Sequence, residues 1–133
     1  MKRSICISVI LLLVFSCLAG LSSAAEKKPI KLGVMFIMSG PMGGYGKHGK
    51  QAVQMALDEI NASGGILNRK VEALFEDTKL KADVVEQITK KFINEDKVDF
   101  LMGPTSSGLA AAVSKLATQN KKILILTQAA ANS

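Results

Sequence analysis

Ile30-Lys31-Leu32-Gly33-Val34-Met35-Phe36-Ile37-Met38 carries one charge in nine residues, the pattern of a β-strand buried on both faces. A strand of that kind belongs inside a parallel sheet, and the chain after it has the crossovers such a sheet needs. Residues 39–46 form a turn-rich stretch of Ser, Gly and Pro. Ala52, Val53, Ala56, Leu57 and Ile60 then recur at helical spacing among Gln51, Gln54, Asp58 and Asn61. Gly64-Gly65 predicts a glycine stop to that helix. Residues 71–77 alternate, with Glu72 and Glu76 on one face, which suits a strand near a sheet edge. Val84, Val85, Ile88 and Phe92 stripe a second helix, and residues 98–102 make a third strand closed by Gly103-Pro104. Ser107 is placed to cap a third helix striped by Leu109, Val113 and Leu116. Residues 123–126 read as a fourth, buried strand. Alternation of this kind predicts an α/β fold, an open parallel sheet with right-handed crossovers and helices on both faces.

Upstream lies a different kind of segment. Met1-Lys2-Arg3 is followed by an apolar run over residues 5–15 and by small residues through Ala25, the three parts of a secretory signal peptide. The unbroken run is shorter than the roughly 20 residues a membrane span needs. Ser23-Ala24-Ala25 fits cleavage before Glu26, and a cut after Ala24 is nearly as good. Both cysteines, Cys6 and Cys17, fall in this leader, so the exported chain has no disulfide, thiol nucleophile or Cys metal site. Cys17 as the lipid-bearing first residue of a lipoprotein is the less favoured alternative, because bulky Phe15 stands where a small residue is usual. Residues 26–133 suffice for one modest core. They stop a few residues after the fourth strand, which reads as a fragment of a larger domain.

Composition removes several functions. The formal charge of +6 drops to +4 without Lys2 and Arg3, and Arg69 is the one arginine that remains. Lysines interspersed with acids make a solvated surface, not the clustered arginines of a nucleic-acid binder. Gly44-Tyr45-Gly46-Lys47-His48-Gly49 fits the dinucleotide G-x-G-x-x-G literally, but it begins about six residues late for a strand-end turn. Residues 44–50 also fit G-x-x-x-x-G-K, with Gln51 where Mg²⁺ needs Ser or Thr. His48 is the single histidine, so a His-based metal cluster cannot form, and it is expected exposed at a helix start. Asp58 and Glu59 face different ways on a helix, and Glu76-Asp77, a candidate functional pair at a strand end, reads better as a capping or solvated one. Met35, Met38, Met55 and Met102 are expected in core packing. No nucleophile–base pair is visible, so neither an enzyme nor a cofactor is expected.

A ligand site follows from topology instead. With strand order 2-1-3-4 the reversal lies between the first and third strands, beyond whose carboxyl ends ligands bind. The loops there, residues 39–46 and 103–108, are rich in Gly and Ser. The second leads into a helix N-terminus suited to a carboxylate, with Ser106 and Ser107 as hydroxyl donors. Ser107 reads equally well as a cap alone.

Ile30–Val34, Ser39-Gly40-Pro41, Tyr45-Gly46, the run from Asp58 to Leu67 and Gly103-Pro104-Thr105-Ser106-Ser107 occur in this order. Together they resemble the leucine/isoleucine/valine-binding protein family, the type I periplasmic solute-binding receptors of ABC importers, over residues 29–133. The resemblance implies a flavodoxin-like partial first lobe of a two-lobed periplasmic receptor. Such a receptor closes on a small solute and delivers it to an ABC permease in the membrane. By position it implies that Ser107 binds the solute carboxylate, that Tyr45 lines the pocket, and that Ala129 offers a carbonyl to the ammonium near Thr127. Ala131 stands where the amino-acid binders carry Thr, so the solute class extends to amides, urea and aromatic acids. A ligand-sensing domain of a signalling receptor, which shares this lobe, is the alternative.

Overall fold

The computed structural model describes residues 27–127. Residues 1–26, with the expected leader, its expected cleavage site and both cysteines, and the candidate residues Ala129 and Ala131, lie outside the described residues.

The apolar stretch that opens the reading is β1 (Ile30–Phe36), and Val34 and Met35 are fully buried within it. It is followed by α1 (Gly43–Ala62), β2 (Val71–Asp77), α2 (Ala82–Asn94), β3 (Phe100–Met102), α3 (Ser107–Gln119) and β4 (Ile123–Ile125). The four strands form one parallel sheet in the order β2-β1-β3-β4. β2 is therefore an edge strand, as its alternation predicted, and β1 is flanked on both sides. Register runs from Ile30 opposite Val71 to Phe36 opposite Asp77, and Leu32–Val34 pairs with Phe100–Met102.

Both sheet faces carry helices. On one, Met35 and Leu101 pack with Val85, Ile88 and Phe92 of α2 and with Leu109 and Val113 of α3. On the other, Ile30 and Val71 pack with Leu57 of α1, joined by Val53 and Ile60. α1 ends in a Schellman motif: the Gly65 N–H donates to the Ile60 carbonyl (2.9 Å) and the Gly64 N–H to that of Asn61 (3.1 Å). Gly64 and Gly65 take φ of +95° and +78° there, a region open to glycine at no steric cost. The Asn61 side chain then behaves like a strand residue, donating to the Val71 carbonyl (2.9 Å) and accepting from its N–H (2.8 Å). Helix end and strand start are thus tied together.

Several expectations need correction. β1 ends at Phe36, two residues short of Met38. α1 begins at Gly43, so half of the supposed loop over residues 39–46 and the whole G-x-G-x-x-G run lie in the start of a helix. The second and third glycines of that run serve close packing: a Cβ on Gly46 would sit 2.0 Å from the Ile37 carbonyl oxygen, and one on Gly49 2.9 Å from the Phe36 ring, whereas Gly44 faces open space. The position at the N-cap of α3 belongs to Ser106, not Ser107, and Ala117 takes the buried place expected for Leu116. Met35 is core, but Met38 and Met102 are half-buried and Met55 is 66% exposed on the outer face of α1. β4 is not buried: Ile123 is 62% and Ile125 43% exposed. α1 packs over β1 and β2, and among the described residues nothing covers the β4 end of that face.

Candidate functional site

Three chain segments meet at the carboxyl end of the sheet, where the strand order reverses between β1 and β3. Ile37 follows directly on β1, Met42 and Tyr45 flank the start of α1, and Thr105 lies between β3 and α3. These four residues line a cavity of about 310 Å³. The two loops are joined by a hydrogen bond in which the Ile37 N–H donates to Thr105 Oγ1 (3.3 Å). Tyr45 stands in the first turn of α1 with 62% of its surface exposed, an aromatic wall reachable from solvent.

The β1–α1 loop is held from the opposite side by Asp77, the last residue of β2. Asp77 Oδ1 accepts from the Met38 N–H (2.8 Å) and the Lys79 N–H (2.9 Å). Burial alone would raise the pKa of this carboxyl. The Ser39 side-chain hydrogen bond, the two backbone donors and the Lys79 charge together outweigh burial and hold it below the usual value. Asp77 is thus a fixed anion with structural partners, beyond the capping or solvated role expected of it. Its neighbour Glu76 pairs with Lys91 of α2.

Ser106 takes the extended N-cap conformation, and its carbonyl accepts from the Leu109 (3.2 Å) and Ala110 (3.0 Å) N–H groups. Its hydroxyl makes no cap hydrogen bond. Ser107 is the first helical residue, half-buried. Both serines follow Thr105 directly but do not line the cavity. Thr127, two residues past β4, has a buried Oγ1 with no hydrogen-bond partner among the described residues. The structure therefore brings Tyr45 to the switch-point cavity, places Ser106 and Ser107 on the adjoining turn, and leaves Thr127 beyond the next strand. Thr105 was quoted from the sequence only within a motif, and Asp77 was set aside in favour of capping, although Asp77 ends β2 and Thr105 stands three residues past β3.

A larger cavity of about 690 Å³ lies elsewhere, over the open sheet face, lined by residues that include Ile30, Leu57, Phe100, Met102, Ile123 and Ile125. It holds none of the candidate residues, and its size reflects the uncovered strands rather than a shaped site. Among the described residues no group of three or more His, Cys, Asp or Glu side chains could hold a metal ion. No helix among them is long and apolar enough to cross a membrane. His48 is exposed on α1.

Comparison with known proteins agrees with this geometry. A Leu/Ile/Val-binding protein of Rhizobium johnstonii is 32% identical over 102 residues, covering 77% of this chain and 28% of that protein. A Leu/Ile/Val-binding protein of Citrobacter freundii is 29% identical over 119 residues, covering 89% and 32% respectively. The chain thus spans about a third or less of the length of these relatives. Among solved structures, the branched-chain amino acid transporter substrate-binding protein of Streptococcus pneumoniae, in complex with isoleucine, superposes with a TM-score of 0.75 at 33% identity. The match covers 79% of this chain and 30% of that one. A solute-binding protein of an ABC transporter from Rhodopseudomonas palustris, in complex with 3,4-dihydroxybenzoic acid, gives a TM-score of 0.70 at 25% identity, covering 76% and 27%. Residues 29–133 match the profile of the periplasmic binding proteins, and with the sheet order 2-1-3-4 in place the chain belongs to that family.

Proposed function

We propose that this chain is the opening part of the first lobe of an extracytoplasmic receptor. The receptor captures an amino acid, or a related small carboxylate or amide, for an ABC importer and hands it to the membrane permease. The observation that carries this reading is the cavity at the β1/β3 switch point, walled by Tyr45 and Thr105 and adjoining the first turn of α3. Free N–H groups and the dipole at a helix start favour a carboxylate, with the Ser106 and Ser107 hydroxyls as further donors. The isoleucine and 3,4-dihydroxybenzoic acid named for two structural neighbours share that carboxylate and little else. This supports a site in which the acid group is fixed and the remainder varies. Tyr45 offers its ring to that variable part. Ala129 and Ala131, with the ammonium-facing carbonyl at Ala129, complete the proposed set together with Thr127. Residues 1–25 would direct the chain out of the cytoplasm, and closure of a second lobe would remove the solute from water.

The test is a thermal-shift and calorimetric panel on the complete gene product, with isoleucine, a primary amide, urea and 3,4-dihydroxybenzoate as ligands. Binding of at least one carboxylate or amide is expected, weakened by Tyr45→Ala. No binding by any of the four, or binding indifferent to Tyr45, would sink the reading.

A further inference from the structure

The residue that holds the cavity's loop in place sits on a strand that never reaches the cavity. β2 is the edge strand, on the far side of β1 from the switch point, yet its terminal Asp77 accepts the Met38 N–H one residue after Ile37. The anchor is itself fixed. Thr78 is buried, and its N–H donates to the Phe36 carbonyl (2.9 Å). Lys79 and Leu80 take φ of +51° and +56°, uncommon for residues with side chains, and that turn swings the Lys79 N–H back onto Asp77 Oδ1. One carboxylate oxygen therefore gathers the end of β2, the turn after it and the exit of β1.

The other end of the loop has little freedom. Gly43 and Gly46 bring α1 against Met38 and Ile37 so closely that a Cβ on either would lie within 2.8 Å of a backbone oxygen. Of the lining residues Met42 lies between the two fixed ends, while Ile37 stands directly before the first and Tyr45 in the turn of α1 that begins at the second. Asp77 fixes the first end at Met38. We propose that Asp77 is a positioning residue of the site, setting from the edge strand the β1–α1 loop that joins Ile37 to Met42 and Tyr45. The role in binding rests on the proposed receptor function, whereas the role in loop placement does not. Its charge matters less than its oxygen. The depressed pKa of Asp77 is in line with a carboxylate held by several donors, but any acceptor at that point would fix the loop.

Hydrogen exchange on the full chain reads the proposal directly. Asp77→Ala is expected to speed exchange of the Met38 and Lys79 amides at least tenfold, with the Val34 and Leu101 amides unchanged. Asp77→Asn, which keeps an acceptor oxygen, is expected to restore most of that protection. In the complete receptor Asp77→Ala should then weaken binding of isoleucine or 3,4-dihydroxybenzoate, whichever the wild type takes, and Asp77→Asn should recover it. Wild-type exchange at Met38 and Lys79 in the alanine variant would overturn the proposal. So would acceleration of Val34 and Leu101 in step with them, or alanine and asparagine variants that bind alike. If the wild-type receptor binds only the amide or urea of the panel, that solute replaces the acid in the binding arm. If it binds none of the four, the receptor reading fails while the exchange rates still decide the role of Asp77.

Discussion

Ser106 and Ser107 differ by one position and take different places at the start of α3. Either could cap α3 on sequence alone, since two serines precede the same apolar stripe, and only backbone geometry separates them. The N-cap conformation falls on Ser106, which leaves the Ser107 side chain outside the cap position. Ser107→Ala in the complete receptor is therefore expected to lower solute affinity roughly 10- to 150-fold, the equivalent of one charge-assisted hydrogen bond of about 1.5–3 kcal/mol. Lower melting with unchanged affinity would return Ser107 to a purely structural role. Asp77 makes a separate prediction. Its folded pKa lies below the ordinary value of 3.8, so the stabilisation it contributes is fully present above that value. That contribution fades as pH falls through the lower, folded value. Melting measured against pH should fall more steeply in acid for the wild type than for Asp77→Asn. Parallel acid limbs would show that Asp77 is not held as described.

Among the elements, strands and helix stripes were legible because each depends on one period: two for β2, and 3.6 for α2, whose Val85, Ile88 and Phe92 are all buried. The start of α1 was not legible. Glycine has a low helix propensity and signals a turn, so Gly43, Gly44 and Gly46 read as loop. Tertiary packing overrides that preference here, because only residues without a Cβ let α1 lie against the end of β1. β4 failed for a different reason: Ile123, Leu124 and Ile125 read as buried from their own character, but burial needs a cover, which is a property of other segments. Of the site, Tyr45 was legible through a family motif and Thr105 was not singled out within one. Asn61 is the element-scale residue most open to test. Asn61→Ala removes both hydrogen bonds to Val71 and leaves a buried strand terminus short of partners. A loss of about 1–3 kcal/mol is expected in denaturant unfolding. An unchanged midpoint would mean that water replaces the amide without cost.

For the whole molecule, the uneven cover of the sheet dominates. The α2/α3 face is closed, whereas the other presents Ile123 and Ile125 beside Phe100 and Met102. An apolar patch on an unpaired edge strand invites association. The 133-residue chain is expected to bind a hydrophobic dye at neutral pH and to elute above its monomer mass. Ile125→Lys should reduce both. Monomeric elution without dye binding would show the face to be covered. Tyr45 has an optical consequence of its own. It is the single tyrosine of a chain without tryptophan, and it lines the switch-point cavity. The near-ultraviolet emission of this polypeptide therefore originates at one known wall of the proposed site. Any solute that settles there changes that emission unaided, so the chain carries its own label-free titration signal.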